Sequence, residues 1–207
     1  FQESLEPGRI YHILLSACTA GEGLGFNRAI LFLYHPENGT LRAELAVGQL
    51  TPEEAGAVWR HIREERLSLD NLLNPPEGTQ IQYGTLNERV RGIVIPVGNP
   101  EGILSRTVGD RAPQVLSDGR PDLRLESPVE NILGAGEMAT CPLVHADEVL
   151  GVVLVDNRFA GRTIEPEDVQ MLGVMSVQAA IALTNARLYQ QVEELNLQLQ
   201  SRVLAAG

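Results

Sequence analysis

The side chains able to do chemistry are few in this chain and widely spread. There are two cysteines, Cys18 and Cys141, and four histidines, His12, His35, His61 and His145. Cys141 and His145 invite a metal reading, but both fall in a run that reads as a strand. Four residues of strand separate them by about 13 Å, whereas zinc donors must all lie within about 2.3 Å of one ion. The other histidines fall on a helix, a turn and another helix, with no partner at ligand spacing. Neither a metal nor a haem is expected. Both cysteines read as packing residues, since free Cys is among the most buried residue types. Gly21-Glu22-Gly23-Leu24-Gly25 has the look of a phosphate loop, yet its context is reversed. A dinucleotide fingerprint follows a strand and opens a helix, whereas this run closes a helix and precedes a strand. No Gly-x-Ser-x-Gly elbow, Walker sequence or kinase catalytic loop occurs. Glu53-Glu54 and Glu64-Glu65 read as the solvated side of a helix. Asp156-Asn157-Arg158 reads as a strand end that bonds its own backbone rather than a ligand.

The bulk properties narrow the class further. At 207 residues the chain can bury one good core with a tail left over. A formal charge of −11, with no cluster of Lys and Arg, argues against binding a nucleic-acid backbone. No uninterrupted apolar stretch reads as a membrane span and no signal peptide is visible, so no membrane contact is expected of this segment. The chain opens on Phe1 rather than Met, as expected of a piece of a longer protein. Two cysteines suggest a reducing compartment, and a cytoplasmic location is expected.

Periodicity supplies the elements. Ile10, Ile13, Leu14, Ala17 and Cys18 recur at helical steps before the stop at Gly21. Arg28 to Tyr34 reads as a buried strand, Asn38-Gly39 as a hairpin turn, and Leu41, Ala43, Leu45 and Val47 as the inner face of the next strand. Thr51-Pro52-Glu53-Glu54 has every part of a helix start, and Ala55, Val58, Ile62, Leu69 and Leu72 continue its stripe until Pro75-Pro76. Arg91 to Val97 reads as a third strand. An irregular stretch from Gly98 to Gly136 follows, with a brief helix at Ile103 to Val108 and a short strand at Gln114 to Leu116. It also holds a turn at Asp118 to Asp122 and a capping-box start at Ser127-Pro128-Val129-Glu130. Such an excursion inside a compact domain is usually functional. Met138 to Val144 and Val149 to Asp156 read as a closing hairpin.

From Glu165 to about Leu204 runs the longest periodic element, on the order of 55–60 Å as a helix. Val169, Leu172, Ala179, Leu183 and Ala186 form one apolar face; Val174, Val177, Ile181 and Leu188 form a second. A helix lying on a sheet needs only one stripe. Further along, Ile181, Leu188 and Leu195 stand seven apart, as do Asn185, Val192 and Leu199. This is the seam of a two-stranded coiled coil, with Asn185 able to fix register.

Gly25-Phe26-Asn27-Arg28-Ala29 leading into an apolar strand resembles the opening of a GAF domain. The run Leu150-Gly151-Val152-Val153-Leu154-Val155-Asp156-Asn157 and a long helix containing Ala182-Leu183-Thr184-Asn185-Ala186-Arg187-Leu188-Tyr189 resemble its close. The likeness spans about Ile10 to Tyr189 and is greatest to GAF domains of bacterial sensor histidine kinases. It implies an α+β, profilin- and PAS-related fold: an antiparallel sheet of about six strands, first and last helices on one face, and a lidded ligand pocket on the other. Residues 1–189 would form the sensory domain and residues 190–207 the start of a coiled-coil signalling helix. The resemblance implies a homodimer surface on the first and last helices, here Ile10, Leu14, Ala17, Ile181, Asn185, Leu188, Val192, Leu195 and Leu199. It places Arg106, Asp118, Arg120, Val129 and Thr140 on the pocket walls, where Arg106 or Arg120 could meet an anionic ligand. The ligand itself stays unassigned, because the family binds cyclic nucleotides, bilins, haem, other small molecules or nothing known. A covalent bilin commonly joins a Cys beside a His, whereas Cys141 precedes Pro142. The family's reductase branch uses three cysteines and this chain has two. The expected function is therefore a non-catalytic sensor that acts on an output domain of the same parent protein, a sensor histidine kinase, with a ligand-free dimerisation scaffold as the first alternative and an enzyme of the free methionine sulfoxide reductase type as the second.

Overall fold

In the computed structural model, residues 6–20, 23–54, 84–117 and 122–205 are described, with side chains as far as Ser201. Six strands form one antiparallel sheet: β1 (Arg28–His35), β2 (Thr40–Gly48), β3 (Val94–Pro96), β4 (Gln114–Leu116), β5 (Met138–His145) and β6 (Glu148–Asp156). Their order across the sheet is β3-β2-β1-β6-β5-β4. The described helices are α1 (Pro7–Thr19), α2 (Thr85–Val90), α3 (Ile103–Asp110), α4 (Ser127–Leu133) and α5 (Pro166–Ala205).

Side-chain alternation divides the central strands between two apolar layers. Ala29, Leu31, Ala139, Cys141, Val153 and Val155 point to the side covered by α1 and α5, joining Leu14, Leu15, Leu172 and Leu183 in one core. Ile30, Phe32, Met138, Val152 and Leu154 point the other way, into a second core with Leu86 and Val90 of α2, Ile103 and Leu104 of α3, and Val129 and Leu133 of α4. First and last helices thus share one face, and the short helices cover the other.

β1 and β6 run side by side, with Phe32 opposite Val152 and Leu33 opposite Gly151. A Cβ at Gly151 would stand 2.3 Å from the carbonyl oxygen of Phe32. Only glycine lets the two central strands approach so closely.

Several local expectations are refined. The third strand is shorter than the Arg91–Val97 run, because Arg91 and Gly92 form the turn that leaves α2. The helix that starts at Pro52 is described only to Glu54, and its apolar stripe lies outside the described residues. Its start has the expected chemistry: the Glu54 amide donates to Thr51 Oγ1 at 3.3 Å, and Glu54 Oε2 accepts the Leu50 amide at 2.9 Å. The capping box at Ser127 does not form. The N-cap of α4 is Glu126, without a side-chain cap bond, because its carboxylate reaches α3 instead.

The expectation of no span-length apolar stretch also needs correction. Pro166–Ser201 is long and apolar enough, by length and composition, to cross a membrane. Its apolar character arises because one helix serves two faces. Leu172, Ala179, Ala180, Leu183 and Ala186 are buried in the chain's own core, while Val174, Val177, Ile181 and Leu188 are exposed.

Candidate functional site

The pocket side expected from the sequence is the layer of α3 and α4 over the sheet. Among the described residues it is filled by side chains. Ile103, Leu104, Val108, Val129 and Leu133 pack on Ile30, Phe32, Met138 and Leu154. Two polar groups within this layer are bonded to each other: the hydroxyls of Thr107 on α3 and Thr140 on β5 share a hydrogen bond, and Thr107 also donates to the Ile103 carbonyl.

The start of α3 is the natural place for an anionic ligand, since free backbone N–H groups and the helix dipole both favour negative charge there. The chain supplies that charge itself. Glu126 is buried, and its Oε1 accepts the Ser105 amide at 2.9 Å while Oε2 accepts the Leu104 amide at 3.3 Å. A Cβ at Gly102 would stand 2.4 Å from Glu126 Oε1. Glycine there leaves room for the carboxylate.

A second polar centre closes one end of the same layer. Arg28 and Asp156 face each other on β1 and β6, and their side chains are 1% exposed. Arg28 Nε donates to Asp156 Oδ2 at 2.8 Å and Oδ1 at 3.1 Å, and Arg28 Nη2 lies 2.7 Å from Oδ2. The same Nη2 donates to the Leu133 carbonyl at 3.1 Å, which ties α4 to the sheet. The guanidinium also lies over the Phe159 ring, 5.4 Å from its centroid. Asp156 Oδ1 accepts the Arg158 amide at 3.2 Å, the backbone bond expected of this strand end. Arg158 in turn donates to the Ala135 carbonyl. The whole group links α4, the two central strands and the connection into α5.

The cysteines lie in the layer under α1 and α5, on the opposite side of the sheet from Thr140. Burial pushes the Cys18 thiol up to about 12, with the neighbouring Cys141 adding to the shift; burial also raises the Cys141 thiol. Both are therefore neutral, weak nucleophiles. Among the described residues no group of His, Cys, Asp or Glu is arranged to hold a metal.

A family model for the GAF domain matches residues 15–183. The chain belongs to the GAF family. No curated sequence matches this GAF domain at a significant level. Among solved structures it is similar to residues 122 to 287 of a methyl-accepting chemotaxis protein, at 21% identity over 91% of this chain and 94% of that one, with a TM-score of 0.63. The GAF-B domain of DevS from Mycobacterium smegmatis is 18% identical over 90% of this chain and 99% of that one, with a TM-score of 0.57. A free methionine-R-sulfoxide reductase from Neisseria meningitidis, in complex with its substrate, is 13% identical over 89% of this chain and 83% of that one, with a TM-score of 0.55. These likenesses are of fold, and the six-stranded sheet with helices is the GAF architecture expected from the sequence.

The expected site residues of the domain fare unequally. Thr140 and Val129 do lie in one layer with α3, but both are fully buried, one hydrogen-bonded and the other in the apolar core. Arg106 points outward, donating to Asp122 at 2.7 Å and to the Pro100 carbonyl at 3.0 Å. Asp118 and Arg120 lie outside the described residues. On the helical face, Ile10 and Leu14 belong to the domain's own core and offer no partner surface, while Ile13 beside them is exposed and Ala17 half-buried. Ile181, Asn185, Leu188, Val192, Leu195 and Leu199 are all exposed. Arg28 and Glu126 were missed. Arg28 opens an otherwise wholly apolar strand, and a charge in that position demands a buried counter-charge; that was the available signal. Glu126 carries no local signal, because its partners are amides at least 21 residues away in sequence.

Proposed function

We propose that this GAF domain is a regulatory sensor with no catalysis of its own, a cytoplasmic segment of a sensor histidine kinase. It receives a small molecule or partner at the α3–α4 layer and passes the signal through paired copies of α5 to an output domain in the same parent chain. The observation that carries this reading is the division of α5 into two faces. One stripe ends in the core at Ala186, yet the helix continues, and every described side chain from Arg187 to Ser201 is exposed. A helix serving the sheet alone has no use for that length or for a heptad stripe along it. The fold shared with a chemotaxis protein supports a signalling role. Thiol chemistry of the reductase kind is disfavoured by two buried, neutral cysteines. Light scattering at micromolar concentration tests the pairing: two chains per particle are expected, and single chains alone would end this reading. A phosphoacceptor module following residue 207 in the parent sequence is the expectation for a kinase, and any other output domain would replace that assignment.

A second reading, a ligand-free dimerisation scaffold, is favoured by the filled α3–α4 layer and by Glu126 seated on α3. Thermal denaturation against nucleotides, haem, organic acids and cell extract separates the two. A saturable rise in Tm supports the sensor through mass action, and no rise across the library supports the scaffold.

A further inference from the structure

The exposed stripe of α5 begins well before the point where the helix outruns the sheet. Val174, Ile181, Leu188 and Leu195 form one set seven apart, and Met171, Gln178, Asn185, Val192 and Leu199 form the other. Their apolar members range in exposure from 39% for Ile181 to 60% for Leu199, and Gln178 and Asn185 are exposed as well. The two sets alternate at steps of three and four without a break, as the d and a positions of one heptad repeat. The domain's own core takes the opposite side of the helix: Leu172, Ala179 and Ala186 are at b, Ser176 and Leu183 at f. One continuous seam thus runs along the outside of the domain and on past it.

We infer that this seam pairs with the same seam of a second copy, parallel and in register, and that Gln178 and Asn185 set that alignment. The inference rests on the proposed pairing of α5 and adds to it the direction and register. Both amides occupy a positions, one heptad apart. In a parallel, in-register pair each a residue meets its own copy, and a carboxamide is self-complementary, offering a donor and an acceptor to its twin. In an antiparallel pair a positions meet d positions, and all four d residues here are apolar. Within the seam from Met171 to Leu199, every antiparallel alignment sets both amides against apolar d residues and buries them without partners, which is costly. A parallel pair slipped by one heptad would match Asn185 with Gln178 once but set the remaining amides against Met171 and Val192. The flanks offer no competing rule, since every e and g position from Gln170 to Gln198 is uncharged. Direction and register therefore fall to the two polar layers.

Single cysteines placed in the full chain at Ile181, Leu188 and Leu195 test this under mild oxidation. Native Cys18 and Cys141 are buried and give a silent background. All three substitutions (Ile181→Cys, Leu188→Cys, Leu195→Cys) should yield disulfide-linked pairs, and Gln190→Cys on the outer f position should not. An antiparallel pair can self-link only near its twofold axis. Linkage at one position or none, with light scattering still showing two chains, would overturn the alignment and leave the pairing intact. Single chains alone would overturn the pairing itself. In mixtures of Leu188→Cys and Leu195→Cys chains no mixed disulfide should form. On a Gln178→Leu/Asn185→Leu background, mixed disulfides should appear and association should tighten by about tenfold. Absence of both changes would show that the amides do not set the register.

Discussion

Replacing Asp156 with Ala tests the tie between α4 and the sheet. The substitution leaves the Arg28 guanidinium 1% exposed, with only the Leu133 carbonyl and the Phe159 ring as partners. Removing one member of a buried pair costs about 3–5 kcal/mol, because the remaining charge stays desolvated. At roughly 2–4 °C per kcal/mol for a domain of this size, Tm should fall by about 6–20 °C. Arg28→Met should cost a similar amount, since it strands the carboxylate and frees the end of α4. The double variant Arg28→Met/Asp156→Leu should recover most of the loss, coming within about 1–2 kcal/mol of the parent, because an apolar pair of similar volume carries no desolvation cost. Urea denaturation followed by circular dichroism measures all four corners of the cycle, with constant m as the check on two-state behaviour. Single losses below about 1 kcal/mol, or a double loss equal to the sum of the singles, would refute the reasoning. Hydrogen exchange should show the amides of α4 opening faster in Arg28→Met, since the bond from Arg28 to Leu133 is lost there.

Other perturbations have equally definite outcomes. Gly151→Ala should destabilise by about 1–3 kcal/mol or prevent folding, since the added carbon meets the backbone oxygen of Phe32 at 2.3 Å; a stability within error of the parent in urea denaturation would contradict the close approach. Thr140→Val should cost about 1–2 kcal/mol by leaving the buried Thr107 hydroxyl without its partner on β5, and Thr107→Val/Thr140→Val should cost less than the single change. In native protein at pH 8, Cys18 and Cys141 should resist iodoacetamide on mass spectrometry, and both should react in urea. Because folding raises the Cys18 thiol from 9.0 to about 12, the folded state holds its proton where the unfolded chain releases it. That contribution to stability is complete below pH 9 and is lost as pH rises from 9 toward 12; a urea midpoint that stays flat over this interval would refute it.

Much of the fold was legible because it rests on local rules. β1, β5, β6 and α5 announce themselves by period and turn chemistry, and spacing alone groups Leu172, Ala179, Leu183 and Ala186 on one face of α5, the face that packs in the core with the sheet. α2 was overlooked because six residues, Thr85–Val90, are too short to show a helical stripe. On α1, Ile10 and Leu14 were given to a partner because a stripe does not reveal which neighbour covers it. The sheet and α5 together cover them, leaving Ile13 outside. The expected site was the least legible part. Its wall residues Val129 and Thr140 were assigned to one layer through family resemblance, and they do share it. That Thr140 spends its hydroxyl on Thr107, and Arg106 its guanidinium on Asp122, depends on side-chain pairing across more than 15 residues of chain. Only the three-dimensional structure supplies such pairings.

The carboxylate of Glu126 restricts what could ever occupy the start of α3. Any acid arriving there competes with a carboxylate that is covalently attached and already aligned. For a tethered group the effective concentration is on the order of millimolar or more. A metabolite present at micromolar levels and recognised through its negative charge alone would lose that contest. An incoming molecule succeeds only if the rest of its body makes contacts that outweigh the displaced side chain, so selectivity falls on its shape and apolar surface rather than on its charge.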